Sequence, residues 1–256
     1  MKPATAAVLA IAALHAQVSY VASVKPNRDP DARSVSEYFP GGRLSATAAP
    51  AMLLLRLAYR TQPYLIVGMP DWVRTKRFDV QAKAEGSPPP SQQDLLQALL
   101  KDRFHLAAHR ETREMPIFAL VLARKDGRLG PQITRSNFDC EAYHAGPHAL
   151  PEPGRTPPCG LRVGPAALSG KAITMAQLVA SLGGLMSRTT VDRTGLAGRF
   201  DVEMTWTPEG PPDAASHSEQ PPLVTALIEQ LGLKLVSEKG PVEVLVLDRI
   251  EEPSEN

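Results

Sequence analysis

The tetrapeptide Arg77-Phe78-Asp79-Val80 occurs a second time as Arg199-Phe200-Asp201-Val202. Self-similarity within one chain predicts that the same structural unit is present twice. The alternative is an accidental recurrence of four residues. The segments before and after each copy follow the same order, which argues against accident and predicts two related halves.

Each half contains two segments whose apolar residues recur at helical spacing. These predict helices at Met52–Tyr59, Asp94–Arg103, Met175–Met186 and Leu223–Leu231. Ser91 and Thr174 stand where helix N-caps are expected, and Gly232 stands where a helix C-cap is expected. After the second helix of each half we predict two strands with a turn between them. These pairs are Phe104–His109 with Ile117–Ala123, and Leu233–Glu238 with Val242–Asp248, where Pro116 and Pro241 begin the second strands.

The predicted fold class is therefore α+β, with two related β-α-β-β-α-β-β halves. In each half, two amphipathic helices need a small mixed sheet to cover. The predicted first half covers residues 17–124 and the second covers residues 166–256. The connection over residues 125–165 is rich in proline and glycine and holds both cysteines, so we predict a linker without a core of its own.

The N-terminus resembles an export signal. Lys2 precedes a short apolar run, Ala4–Ala13, and Ala16 is a plausible last residue before cleavage. The run is shorter than the roughly 20 apolar residues of a membrane span, and no later segment is long enough. Residues 1–16 therefore predict a signal peptide and an extracytoplasmic protein, periplasmic or secreted, with no transmembrane segment after cleavage. The alternative is a buried N-terminal helix.

The composition is that of a globular chain, with 43% hydrophobic and 21% charged residues. A formal net charge of +1 gives no electrostatic reason to expect nucleic acid or an anionic membrane as partner.

Several motifs together carry a family resemblance. They are Ala22–Asn27, Gly68–Trp72, His109–Glu114, Val191–Asp201, Pro241–Asp248 and Glu252–Asn256. In combination they resemble a large family of uncharacterised exported proteins of soil bacteria, abundant in acidobacteria, with relatives attached to BlaR-type sensor peptidases. The resemblance implies export and a domain of unknown function, and it brings no catalytic residues. The order β-α-β-β-α-β-β of each half, with the segment from Val191 to Phe200 leading into the third strand, is also similar to the short N-terminal domain of secretins and TonB-dependent receptors, which implies docking of other proteins.

The two cysteines allow three interpretations. Cys140 and Cys159 are expected to form a disulfide, because exported cysteines usually oxidise. The same thiols with His144 and His148 have the ligand types of a zinc site, although the spacing matches no standard zinc finger. Free thiols are the third interpretation. We predict the disulfide, and no metal or cofactor.

A possible interaction or ligand surface comes from scattered polar residues. His109, Arg110, Glu111 and Arg113 form a charged run at a predicted hairpin, as either a solvated turn or a docking edge. Trp72 suits a core or lid aromatic better than a stacking platform for a ligand. The remaining two residues of this candidate surface are Asp192 and Thr194, whose pattern with Gly195 favours turn chemistry over a catalytic loop.

No hydrolase elbow, phosphate-binding loop, zinc-protease motif or dinucleotide fingerprint is present. The chain is more easily explained as a non-catalytic protein-protein interaction module of the cell envelope, with an envelope or secreted protein as partner, than as an enzyme. The alternative is an extracytoplasmic hydrolase with its site between the two halves. A small-ligand or metal binder using the Cys/His loop is a third hypothesis.

Overall fold

The computed structural model describes residues 18–146, 156–208 and 220–254, so the predicted signal peptide lies outside the described residues. The α+β class is confirmed. The chain divides into two units, one formed by the residues up to Glu111 together with those from Val244, the other by Thr112–Glu243. The boundaries predicted at residues 124 and 166 stay a prediction.

The first unit contains an antiparallel sheet of four strands in the order β1-β5-β3-β2. Two helices, α1 and α3, carry the buried leucines that pack against it. The elements are β1 Tyr20–Asn27, β2 Val35–Phe39, β3 Arg43–Pro50, α1 Ala51–Tyr59, a 3-10 turn Pro63–Leu65, β4 Ile66–Val67, α2 Trp72–Thr75, β5 Arg77–Ala84 and α3 Gln92–Arg103. Strand β6, Ala107–Leu122, begins in this unit.

The second unit contains a second antiparallel sheet of four strands, in the order β7-β11-β9-β8. Its elements are β7 Ile133–Arg135, α4 Cys140–Ala145, β8 Leu161–Val163, β9 Ala167–Ile173, α5 Met175–Met186, β10 Thr190–Asp192, β11 Phe200–Thr205 and α6 Leu223–Ala226, which continues as a π-helical turn, Leu227–Leu231. Strand β12, Leu233–Arg249, then returns the chain to the first unit.

The two sheets described above are antiparallel, where mixed sheets were expected, and the parallel pairings occur in a third four-stranded sheet. The strand after each first helix joins a different ladder, since β4 runs parallel to β12 and β10 runs parallel to β6. The parallel pairings therefore occur outside the sheets that α1, α3 and α5 cover.

The predicted helices and caps are close to the observed ones. Ser91 Oγ accepts a hydrogen bond from the backbone N–H of Asp94, and Thr174 forms a capping box with Gln177. Gly232 ends the last helical turn at φ 68°, a left-handed conformation that suits glycine.

The predicted pairs of short strands are wrong. Each pair is one continuous strand, β6 or β12, and Pro116 and Pro241 lie inside these strands. Gly240 also lies inside β12, and a Cβ at this position would lie 2.7 Å from Ile117 Cδ1, so a side chain there would require the end of Ile117 to shift.

The predicted linker is also more ordered than expected. It contains β7, α4 and β8, and β7 and β8 form the two edges of the second sheet. Ile133 from this segment is buried in the second core. The segment needs few aliphatic residues to be ordered, because its two strands pair with the central strands β9 and β11 and share their core.

Candidate functional site

The aspartate of the first tetrapeptide holds a break in the neighbouring strand. The register of β3 against β5 shifts between Ala46 and Ala49, and Ala48 in this bulge has φ 48°. Asp79 Oδ1 accepts hydrogen bonds from the N–H of Ala48 at 2.9 Å and from Asn27 Nδ2 at 2.9 Å. A left-handed alanine is strained, and the carboxylate gives its N–H an acceptor.

Asp201 does the same in the second unit. The register of β9 against β11 shifts next to Ala172, which has φ 49°, and Asp201 Oδ1 accepts from the Ala172 N–H at 2.8 Å. Burial alone would raise the pKa of Asp201. Hydrogen bonds from Ala172 N–H and Ser136, together with the charge of Lys171, outweigh burial and hold that pKa below its usual range. A carboxylate kept ionised in this way suits a structural role better than that of a general acid.

We expect Asp201→Asn to reduce the loss of stability in acid. A depressed folded-state pKa contributes stability that is present above the unfolded pKa of about 3.9 and is lost as the pH falls through the folded pKa. Asparagine keeps an oxygen acceptor for the Ala172 N–H but cannot titrate. The measurement is the free energy of unfolding in urea at pH 7 and near pH 3. Asp31→Asn, at an exposed aspartate, is the control, and an equal acid loss in Asp201→Asn and the unchanged chain would contradict the assignment.

The cysteines form the predicted disulfide, with Cα atoms 5.6 Å apart. The bond joins α4 to the segment before β8, and Cys140 is buried. Because both sulfur atoms are joined in this bond, neither is available as a thiolate ligand for zinc. Within the described ranges no group of three His, Cys, Asp or Glu residues could hold a metal ion, while His148 lies outside them.

The charged run lies on strand β6 rather than at a hairpin. His109 Nδ1 is 2.9 Å from Asp248 Oδ2, and the Arg110 guanidinium donates to the Tyr59 carbonyl at 2.9 Å. His109 and Glu111 are within ion-pair distance, and both are about half exposed, so their electrostatic contribution is small. Arg113 follows on the same strand, in the second unit. The docking role of these four residues stays a prediction.

The other predicted surface residues have visible structural roles. Asp192 Oδ1 accepts from the N–H and the hydroxyl of Thr194, at 2.8 and 2.7 Å, which is the expected turn chemistry. Thr194 itself is buried. Trp72 lies in α2 and meets Phe78 edge to face at 6.4 Å, against the first core. A role for these residues in binding a ligand stays a prediction.

Sequence reasoning missed a cavity of 560 Å³ in the first unit. It lies where the end of α1 meets the start of α3, and Arg56, Arg60 and Gln93 are among its polar lining residues. The signal available in the sequence was the spacing of two arginines four residues apart on a helix, near the Ser91-Gln92-Gln93 helix start. Only the packing of α1 against α3 brings these segments together.

The fold and the disulfide define the class of this protein, which is a disulfide-bonded α+β protein that contains two antiparallel sheets. The chain belongs to the family described as protein of unknown function (DUF3738), whose defining pattern matches residues 52–250. No curated protein matches the chain. No solved structure matches it either, so the likeness to the secretin and TonB-receptor domain, like the acidobacterial and BlaR associations, stays a prediction.

Proposed function

We propose that the protein is an exported, non-catalytic interaction module that binds an extended segment of an envelope or secreted protein by strand addition. The disulfide supports an oxidising compartment. None of the helices in the described ranges combines the length and apolar character that a membrane span needs. The matched bulges at Ala48 and Ala172 support the proposal that the two halves derive from one repeat.

The observation that carries the proposal is the open edge of the first sheet at β2. Hydrogen bonding alternates along antiparallel strands. The N–H of Ala84 on β5 donates to the C=O of Gly42, which sets the alternation along β3. The backbone groups of Leu44 and Ala46 therefore point to β5, whereas those of the alternate residues point to β2. On β2, the backbone groups of Ser36 and Tyr38 consequently face away from the sheet. Within the described part of the chain these outward groups have no hydrogen-bond partner.

The opposite edge, β1, is obstructed at two positions, which makes β2 the better docking edge. On β1, the outward carbonyl of Ala22 accepts from the Arg103 guanidinium at 3.3 Å. Pro26, another outward position, has no N–H to offer. Beside the β2 edge, the side chain of Val35 is 47% exposed and offers an apolar contact to an added strand, as Val21, 61% exposed, does on β1. The preference for β2 therefore rests on the backbone groups of the two edges.

The test compares three forms of the chain in a pull-down from the envelope fraction: unchanged, Ser36→Pro and Ser36→Ala. Proline removes the outward N–H of residue 36 and crowds the edge, whereas alanine keeps the N–H. Since this N–H does not bond β3, the sheet itself should survive, which thermal unfolding checks. We expect one partner to bind the unchanged and Ser36→Ala forms and to bind Ser36→Pro at least about tenfold more weakly, a difference of about 1.4 kcal/mol.

Hydrogen exchange then locates the contact. With the purified partner bound, the amides of Ser36 and Tyr38 should exchange more slowly. Equal retention of the partner by Ser36→Pro, or unchanged exchange at both amides, would rule out strand addition at β2.

A further inference from the structure

We propose that the cavity between α1 and α3 binds a small molecule through a phosphate or sulfate group. The site lies wholly in the first unit, and it does not depend on the docking edge at β2. Its volume of 560 Å³ falls in the range of small-molecule sites, which span roughly 300 to 1,000 Å³.

Two uncompensated positive charges line the cavity. Within the described residues, the side chains of Arg56 and Arg60 have no hydrogen bond and no ion pair. This differs from Arg77, Arg103, Arg135 and Arg199, whose guanidinium groups all donate to backbone carbonyls. Among the residues that the structure describes, no Asp or Glu lines the cavity. The nearest described carboxylate in sequence, Asp94, accepts from Ser91 Oγ at 2.7 Å. Two guanidinium groups that line one cavity and have no counter-ion among the described residues favour an anion, and guanidinium matches phosphate oxygens in geometry.

Arg56 provides an independent sign of a missing partner. Its Nε atom is buried and has no acceptor within the described residues. A buried donor without an acceptor costs roughly 1–3 kcal/mol, so such groups are rare unless a ligand or water completes them. An oxyanion in the cavity that this side chain lines would supply an acceptor.

The neighbouring backbone adds further donors. Helix α3 begins at Gln92, and its first N–H groups have no carbonyl within the helix to bind. Gln92 and Gln93 line the cavity together with the hydroxyl-bearing Thr61. The start of a helix carries a partial positive charge, which adds to that of the arginines. Leu53 and Leu57 give the cavity an apolar wall for the rest of the molecule.

The experiment is a calorimetric titration of the full chain with inorganic phosphate, and separately with sulfate, at constant ionic strength. Sodium chloride replaces either anion in the control titration. Three variants are compared with the unchanged protein: Arg56→Met, Arg60→Asn and Arg33→Met. Asparagine suits position 60 because this residue caps α1 in the left-handed conformation, with φ 49°. Arg33 is exposed, and its replacement changes the net charge equally without touching the cavity.

We expect saturable binding of phosphate at one site in the unchanged protein and in Arg33→Met. Binding should be at least about tenfold weaker in Arg56→Met and Arg60→Asn. Sulfate binding of similar strength would identify a tetrahedral dianion as the shared chemistry. Binding of phosphate without binding of sulfate would narrow the recognised group to phosphate. A titration with no saturable heat, or binding kept by both cavity variants, would overturn the proposal.

A stability measurement separates ligand binding from a structural role. If Arg56 only supported the fold, Arg56→Met would lower the melting temperature. If Arg56 instead serves to bind a ligand, Arg56→Met should have the same melting temperature as the unchanged protein in the absence of phosphate, or a higher one. The reason is that the substitution removes a buried donor that has no acceptor among the described residues. Added phosphate should then raise the melting temperature of the unchanged protein and of Arg33→Met, and leave that of Arg56→Met unchanged. A lower melting temperature of Arg56→Met without phosphate would overturn this role.

Discussion

Replacing Phe200 with alanine is expected to lower the free energy of unfolding by about 3–5 kcal/mol. The side chain is fully buried in the second core, among Leu178, Leu182 and Trp206. The Arg135 guanidinium also lies over its ring, 5.4 Å from the centroid. Truncation removes the apolar contacts and leaves a cavity that the surrounding strands can only partly close.

Urea unfolding followed by far-ultraviolet circular dichroism measures this loss. The matched control is Phe138→Ala, the same truncation in the same unit at a side chain that is 47% exposed, which should change stability by at most about 0.5 kcal/mol. Phe78→Ala should match the large loss of Phe200→Ala, since Phe78 is the buried phenylalanine of the first tetrapeptide. A loss below about 1 kcal/mol for Phe200→Ala would mean that the tetrapeptide does not anchor the second core.

Removing the disulfide by the double substitution Cys140→Ala and Cys159→Ala is the second large effect. The bond closes a loop with a sequence separation of 19 residues. The chain-entropy description gives about 3 kcal/mol for a loop of this length, because the cross-link restricts the unfolded chain. Alanine fits the buried position of Cys140 without placing a polar group there.

Thermal unfolding with and without a reductant checks this prediction. The reduced unchanged protein should unfold at nearly the temperature of the double variant, and the reductant should not affect the variant. If reduction left the melting temperature of the unchanged protein intact, the bond would not stabilise the fold. Pro158 and Cys159 line a small cavity together with Asp201. The acid-induced loss of stability should therefore be compared between the oxidised and the reduced protein.

Much of the fold could be predicted because its signals are local. Helix α5 begins and ends at the predicted residues, since its apolar spacing, its capping residue Thr174 and its length are all properties of one short segment. The disulfide followed from the expected compartment and from the presence of only two cysteines.

The predicted hairpins failed because their signals were not local. A charged run before Pro116 and a glycine at position 240 both resemble turns in isolation. They lie inside the long strands β6 and β12, because each of these strands pairs with neighbouring strands from distant parts of the chain. The local sequence of a strand does not specify which distant strands will pair with it.

By itself, the sequence determined the α+β class, the order of helices and the position of the shared tetrapeptide, because apolar periodicity and capping act over a few residues. The tertiary structure alone decided what the tetrapeptide's aspartates do. Each one binds the N–H of a left-handed alanine on a neighbouring strand, 31 residues away for Asp79 and 29 for Asp201. It likewise decided that Arg56 and Arg60 would line a cavity in which the described part of the chain offers them no counter-ion, since only the packing of α1 on α3 sets what surrounds them. The sequence gives the charge of each residue and its spacing from others. The partner of a charged residue depends on which distant segments pack beside it in the folded protein.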